Sequence, residues 1–453
     1  MRCHRLSTTA LALAGLAGAL AVSHPAEAIP AFAAQTGLAC DACHIGFPQL
    51  TPFGRLFKLE GYTLGEQKYP RIHNFSAMLQ AGFTYLKDKV PGGLAPDFPS
   101  NHAWSIQQTS LFYGGVLDKG LGLGAFVQGT YDGIAHQFTW DNLDIRDAHL
   151  AKISGRQIIY GVTFNNAPGV TDVWNTLPAW GYPFIPDALG VGPTAGLEIS
   201  NLAQTVFGVG GYAAYNITPA NMLYGEVDVY KSLPSHTAYA LGAGPANGVG
   251  GTIPYWRFAI QHSVGENSFE FGTSGLVAHP YPDGFTHGPK DDITDIGLDT
   301  QIQHITANQA LSLQVAWYHE NQHWGASFPL GDTANLNDTL NQETVTVSYL
   351  WHEVLGATES FSNISGNADS GLYGPAPITG NANGKPNTAS FTTELDYYPF
   401  NKGGPKIFPW VNAKFFLEGT FYPYFNGLSH NYDGSGRSAS ANNIFFGGIW
   451  LVF

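Results

Sequence analysis

Charge is scarce in this chain. Lys and Arg number 20 and Asp and Glu 34 among 453 residues, which leaves a net charge of −14. A chain this poor in basic residues is not expected to bind nucleic acid. Long hydrophobic runs are missing beyond the N-terminus, because every later apolar stretch is soon broken by Gly, Asn, Asp, Gln or Pro. That excludes a helical inner-membrane protein, but it leaves open a membrane β-barrel, whose strands need no such run. Cysteine and methionine are also rare, three of each. What is plentiful is glycine, at 55 residues, and aromatic side chains, at 13%. Aromatics and glycine with few Lys or Glu suit extended strands. No linker divides the chain beyond its first fifth.

The N-terminus reads as an export signal. Arg2 and Arg5 precede an apolar run from Leu11 to Val22, and Ala26-Glu27-Ala28 has the small-x-small form of a cleavage site. The run is too short for an anchor, since spanning takes ~20 apolar residues. Residues 1–28 are taken as the signal, with the mature chain starting near Ile29. Cys3 leaves with it, so the mature chain keeps only Cys40 and Cys43. Two cysteines at this spacing could form a small disulfide or a redox pair. His44 directly after them argues otherwise, because Cys-x-x-Cys-His is the attachment signature of a c-type haem. Cys40 and Cys43 are the expected thioether positions of one covalent haem c, and His44 is an expected iron ligand.

Residues 29–73 form the first unit. Thr51-Pro52 makes a good helix start, with a hydroxyl cap followed by Pro at the first helical position. Phe53, Leu56, Phe57 and Leu59 follow at helical spacing, and Gly61 fits the end. The apolar face is expected to pack on the porphyrin. So small a segment hardly makes its own core without a metal or a covering partner, so a surrounding structure is expected.

From residue 74 to 453 the period is two. Phe75, Ala77, Leu79, Ala81, Phe83 and Tyr85 alternate with Ser76, Met78, Gln80, Gly82 and Thr84. Val345, Val347, Tyr349 and Trp351 alternate with Thr344, Thr346 and Ser348. These are apolar-out, polar-in strands of a membrane barrel. Sixteen strands are predicted, beginning near 74, 102, 121, 142, 156, 203, 222, 253, 267, 296, 311, 341, 356, 389, 410 and 441. Short and long connections should alternate, except for a short one after the third strand and a long one after the fourteenth. The expected fold is therefore all-β: an outer-membrane antiparallel barrel of about 16 strands with a small N-terminal α-helical haem plug. Inward positions include Arg146, Glu226, Asp228, Arg257, Glu270, Asp299, Glu320, Glu394, Asp396, Lys414 and Glu418, which would ordinarily make a hydrated wall.

Taken together, the chain resembles the fused monohaem cytochrome–porins of bacterial outer membranes, known best as outer-membrane Fe(II) oxidases. The matching residues are Pro30 to Ala33, Gln35-Thr36-Gly37, Cys40 to His44, Phe53-Gly54-Arg55, Phe57-Lys58 and Gly61-Tyr62. In the barrel they are Asn165-Asn166, Asp172, Trp174-Asn175-Thr176, Pro178 to Gly181 and Asn431 to Gly434. The resemblance implies a haem plug in the lumen and an oxidoreductase taking electrons from extracellular Fe(II). A periplasmic cytochrome or cupredoxin would accept them across the outer-membrane lipid. Two alternatives stay open: the same conduit with a non-iron donor, or a porin whose haem is a structural plug.

The sixth iron ligand is predicted from parity. Met78 falls on the inward face of the first strand, just after the haem unit, and its soft sulfur suits haem iron. Met222 near another strand end and His73 before the first strand are the rivals. A loop with Asp283, His287, Asp291, Asp292 and Asp295 has hard ligands for a docked metal, although such loops are most often simply solvated. The loop with Trp174, Trp180 and Tyr182 either folds over the haem or joins the interfacial aromatic girdle.

Overall fold

The computed structural model describes residues 31–453, apart from 39, 66–70, 179–188, 244–247, 284 and 402–410. The signal, Trp180 and Tyr182 lie outside the described residues. Sixteen strands form the wall: β1 (Phe75–Leu86), β2 (His102–Asp118), β3 (Leu123–Asp132), β4 (Gln137–Ile153), β5 (Arg156–Asn165), β6 (Val206–Asn216), β7 (Asn221–Ser232) and β8 (Ile253–Val264). They continue with β9 (Asn267–Ala278), β10 (Asp292–Ile305), β11 (Gln309–His323), β12 (Asn337–Trp351), β13 (Leu355–Gly366), β14 (Thr388–Tyr397), β15 (Asn412–Tyr424) and β16 (Ile444–Val452). Each pairs antiparallel with its sequence neighbours, and β1 pairs with β16, so the barrel is closed. Closure leaves no free sheet edge, so the strands satisfy one another's backbone N–H and C=O groups around the ring, which is what allows strands to stand in hydrocarbon.

The period-two pattern decides which side faces which solvent. In β1 the residues Ser76, Met78, Gln80 and Thr84 are buried inward, while Phe75 and Tyr85 are exposed outward. In β12 Thr346 and Ser348 point in and Val345, Val347 and Tyr349 point out. The outer face is a continuous apolar surface: Val227, Val229, Phe258, Ile260, Phe271, Leu298, Leu395 and Leu417 are all exposed. A soluble protein does not tolerate a patch of this extent. Phe75, Tyr349, Trp351 and Tyr397 ring one rim, and Tyr85, Trp104, Tyr131 and Phe138 ring the other, as aromatic girdles do at the two interfaces.

Connections 119–122, 154–155, 217–220, 265–266, 306–308 and 352–354 lie at one end and are short. The β4–β5 turn is a two-residue one, Ser154-Gly155, with both φ angles positive (51° and 76°). That matches the type I′ hairpin, which favours Gly at its second position. Long connections 87–101, 166–205, 233–252, 279–291, 324–336, 367–387 and 425–443 lie at the other end. The two expected exceptions are present as 133–136 and 398–411. Strand starts differ from expectation by up to four residues, as at β10 and β12, and by five at β4. β4 starts at Gln137 and not near 142, because its outer extension is held by distant loops. The Trp140 N–H donates to the Leu241 carbonyl (2.9 Å), and its indole donates to the Gln204 carbonyl (2.8 Å).

Inside the ring, at the short-turn end, sits the N-terminal segment. It has three short helices, α1 (Ala31–Thr36), α2 (Cys40–Cys43) and α3 (Pro52–Leu59). As the sequence predicts, Thr51 caps α3 by accepting from the Gly54 N–H (3.1 Å), and Gly61 follows at φ 64°. Side chains pin the segment to the wall at several points. Gln49 donates to Ser312 of β11 (2.6 Å). Arg55 donates to Gln301 (2.9 Å) and Gln303 (2.8 Å) of β10 and to Ser268 of β9 (3.0 Å). Tyr62 donates to Asp144 of β4 (2.5 Å). Gln35 donates to the Tyr62 and Leu64 carbonyls and accepts from the Val116 N–H. Hydrogen bonds to a charged group contribute about 1.5–3 kcal/mol each, so Arg55 alone is a firm tether.

Candidate functional site

A single cavity collects most of what the sequence singles out. Cys40, Cys43 and His44 line one side, Met78 of β1 lines another, and Phe32, Phe57, Lys58 and Tyr62 complete the plug's share. The wall adds Phe112, Phe126, Trp450 and Val452. The cavity encloses about 1320 Å³ of empty space, part of it open to solvent, and its lining is overwhelmingly apolar. Aromatic rings shape it in two groups. Phe32 stacks on Tyr62 (5.3 Å) and meets Phe57 edge-on (4.9 Å). Phe47 meets His44 (5.9 Å) and Trp450 (5.8 Å).

The local chemistry fits a c-type haem. The His44 Nδ1 donates to the Pro48 carbonyl at 3.1 Å, and a proton on Nδ1 leaves the lone pair on Nε2, the arrangement expected of a metal-bound imidazole. Burial holds the His44 pKa below its ordinary value, so the ring is neutral, as a ligand must be. Burial pushes the Cys40 thiol up to about 11 and the Cys43 thiol up to about 12. Neither is the low-pKa thiolate that a dithiol redox pair requires. Two polar atoms on the cavity wall are buried without a hydrogen-bond partner, the Trp450 Nε1 and the Asn175 Oδ1. The Trp450 Nε1–H and the Lys58 Nζ are donors on an otherwise greasy wall, as the two carboxylates of a porphyrin would need, whereas the Asn175 Oδ1 can only accept.

Gly54 shows why the α3 turn and the haem motif go together. A Cβ there would stand 2.3 Å from the Cys43 carbonyl oxygen, so only glycine lets the helix lie on the attachment turn. The expected apolar face of α3 divides three ways. Phe57 faces the cavity, Leu59 packs with Trp174 and Tyr212, and Phe53 and Leu56 remain over a third exposed. The helix is therefore shared between the cavity and the wall.

The rivals of Met78 lie elsewhere. Met222 packs beside Leu59, Trp174 and Tyr224, and His73 sits half-buried in a turn that leads into β1; neither lines the cavity. The candidate metal loop does not converge, and among the described residues no three His, Cys, Asp or Glu side chains could hold a metal together. Asp291 accepts from the Ala326 and Ser327 N–H groups. Asp292 pairs with His279 (2.6 Å), and Asp295 accepts from the Ile199 N–H (2.8 Å). These carboxylates hold loops together.

Sequence reasoning left the role of Trp174-Asn175-Thr176 open, and the structure supplies it. Residues 166–178 fold from the long-loop side into the lumen, and Val170 and Asn175 roof the cavity. Asp172 organises the turn by accepting from the N–H groups of Trp174 (3.0 Å), Thr176 (2.8 Å) and Leu177 (3.1 Å). Arg257 of β8 holds Asp172 (3.3 Å) together with Asp299 (2.7 Å) and Glu270 (3.4 Å), and lies over the Trp174 ring (5.2 Å). Gln301 and Gln314 donate to the Trp174 carbonyl, and Lys58 donates to the Val170 (2.6 Å) and Asp172 (2.9 Å) carbonyls. The roof is thus tied both to the wall and to the plug.

The chain matches no protein-family model and no curated protein sequence. Among solved structures it is similar to an anion-selective porin from Comamonas acidovorans, at 11% identity over 84% of this chain and 98% of that one, TM-score 0.45. It is similar to a loop-deletion form of OmpT, an outer membrane protein of Vibrio cholerae, at 10% identity over 84% and 98%, TM-score 0.44. It is also similar to the outer membrane channel DcaP of Acinetobacter baumannii, at 10% identity over 84% and 96%, TM-score 0.43. Similarity this remote carries nothing about solutes or cofactors. The closed 16-strand ring, its apolar outer band and its two aromatic rims make the chain a porin-like β-barrel of the bacterial outer membrane.

Proposed function

We propose that this barrel is an outer-membrane electron conduit. It would bind one haem c through Cys40 and Cys43, with His44 and Met78 as axial ligands, and would connect an extracellular donor, Fe(II), to a periplasmic cytochrome or cupredoxin. The observation that carries the reading is that Cys40, Cys43, the following His44 and an inward methionine from a different element all line one cavity inside the barrel. A haem c held there supplies one-electron chemistry at a potential set partly by its axial ligands, which Met raises relative to His.

The chain's own residues fix the site and isolate it. Arg55, Gln49 and Tyr62 clamp the plug to opposite walls, so little reorganisation accompanies a change of charge. Lys58 brings a positive charge to the cavity edge, and the infolded residues 166–178 roof the cavity. The β-wall supplies a low-dielectric sleeve through a lipid layer that does not itself conduct.

The test is direct. Protein exported in a host that attaches c-type haem should carry one covalent haem, lost in Cys40→Ala and Cys43→Ala. The oxidised protein mixed with Fe(II) should show the α-band of ferrous haem. Absence of covalent haem ends the conduit reading. Haem that Fe(II) fails to reduce at every pH leaves the conduit and removes the iron donor. A second space beside the roof, lined by Thr344, Thr346, Ser360, Ser362 and Thr392, favours a second reading, a solute porin with a structural haem. Large steady conductance in planar bilayers would select that reading.

A further inference from the structure

The lumen is asymmetric. Around β4 to β10 its inward residues are packed dry: Asp144, Arg146, Thr163, Glu226, Tyr230, Tyr255, Arg257 and Ser274 are all essentially inaccessible. Along β12 to β14 the inward Gln342, Thr344, Ser362, Ser390 and Thr392 keep part of their surface open. A second cavity lies against this wall, lined by these side chains with Gln314, Thr346 and Ser360 on one side and by Asn175 to Pro178 of the roof on the other. Hydroxyls and amides line the barrel side of it, while Leu177, Pro178 and Ala316 add apolar surface. The two cavities share one residue, Asn175. Asn175 is 7% exposed, its Oδ1 has no hydrogen-bond partner, and its φ is 58°, a left-handed conformation that costs on the order of 1 kcal/mol for a non-glycine residue. Asp172, Gln314 and the neighbouring backbone hold that turn in place.

We infer that the hydroxyl-lined space is a water-filled, blind passage that brings a small hydrated cation to the haem cavity, with Asn175 as the junction. Four observations support this. Hydroxyl and amide oxygens solvate a hydrated metal ion without trapping it, whereas a cluster of carboxylates would hold it. The flank is negative, since past Thr392 the next inward residues of β14 are Glu394 and Asp396, with Glu418 opposite Glu394 and Lys414 as the cation between them (2.5 Å to Glu394, 3.1 Å to Asp396). A lumen of that sign concentrates cations. Distance makes such a route necessary: from Met78 to the outer end of β1 at Leu86 is roughly 26 Å along the strand at ~3.3 Å per residue. A donor left at the rim would have to exchange electrons over that span. Below Asn175 the plug closes the bore, so the passage admits a donor and gives little through-flow.

The inference rests on the haem reading, and the experiment separates the two. Thr344→Cys and Ser362→Cys place thiols on the passage, and Ser110→Cys places one at a fully buried position of β2, where Ser110 meets Thr130 (2.8 Å). In the haem-loaded protein the native thiols are consumed, so a small cationic methanethiosulfonate reports only these positions. Labelling at 344 and 362 is expected to be about tenfold faster or more than at 110. The labelled protein should be reduced by Fe(II) about tenfold more slowly or worse, with haem content and midpoint potential unchanged. Equal labelling at all three positions overturns the passage, and so does full-speed reduction after labelling. If Fe(II) fails to reduce even the unlabelled protein, the iron reading falls, and the labelling pattern still decides whether the passage exists.

Discussion

At the scale of single residues, the site depends on side chains that have little else to do. Met78 sits among Ser76, Gln80 and Thr84 on an inward face that is otherwise polar. It packs with Cys40, Phe47 and Val452 at the cavity, and Gln80 donates towards its sulfur at 3.8 Å. Met78→Ala is expected to keep the covalent haem, because Cys40 and Cys43 are untouched, and to lower the midpoint potential markedly. A redox titration beside the wild type checks it. An unchanged potential would remove Met78 as ligand and return Met222 and His73 to consideration. Gly54 carries the complementary lesson, that a position without a side chain can be as demanding as a ligand, since its Cβ would strike the Cys43 carbonyl.

At the scale of elements, the infolded residues 166–178 have the most to lose. Asp172 accepts three backbone N–H bonds and pairs with Arg257. Asp172→Ala leaves those buried donors without partners at about 1–3 kcal/mol each. Arg257 keeps Asp299 and Glu270, so the wall survives while the roof loosens. The expected outcome is a correctly assembled barrel with raised ion conductance and new protease sensitivity in 166–205. Unchanged conductance would mean that the roof does not restrict the lumen. The helix α3 makes a similar point about shared duties, because its apolar residues divide between cavity, wall and exposed surface, and no single-face reading could anticipate that division.

At the scale of the whole molecule, the wall's backbone ladder is independent of the plug, although side chains such as Arg55, Gln49 and Tyr62 tie the two together. The wall's backbone hydrogen bonds close on themselves around the ring and do not pass through the plug. A chain that keeps its signal but lacks residues 31–66 is therefore expected to assemble in the outer membrane. It should migrate as a compact band until heated in SDS, and it should conduct far more than the full-length protein. Failure to assemble would show that the plug is part of the folding unit.

Much of this architecture was legible from the order of residues alone. A period of two sorts each wall residue to lipid or lumen, because a strand turns successive side chains to opposite faces whatever its neighbours are. Strand number, the alternation of short and long connections and the inward parity of Met78 follow from that local rule. The Cys40-x-x-Cys43-His44 signature is equally local. Pairing across the ring is not local, and it decided the rest. The start of β4 depends on Leu241 and Gln204. The company of Met78 and His44 in one cavity depends on strands closing around the plug. The dispersal of Asp291, Asp292 and Asp295 depends on which loop N–H groups lie nearby. The meeting of two cavities at Asn175 depends on a turn held by Arg257, 82 positions further along the chain. Sequence sets which face a side chain takes, and only closure of the sheet in three dimensions sets what it faces.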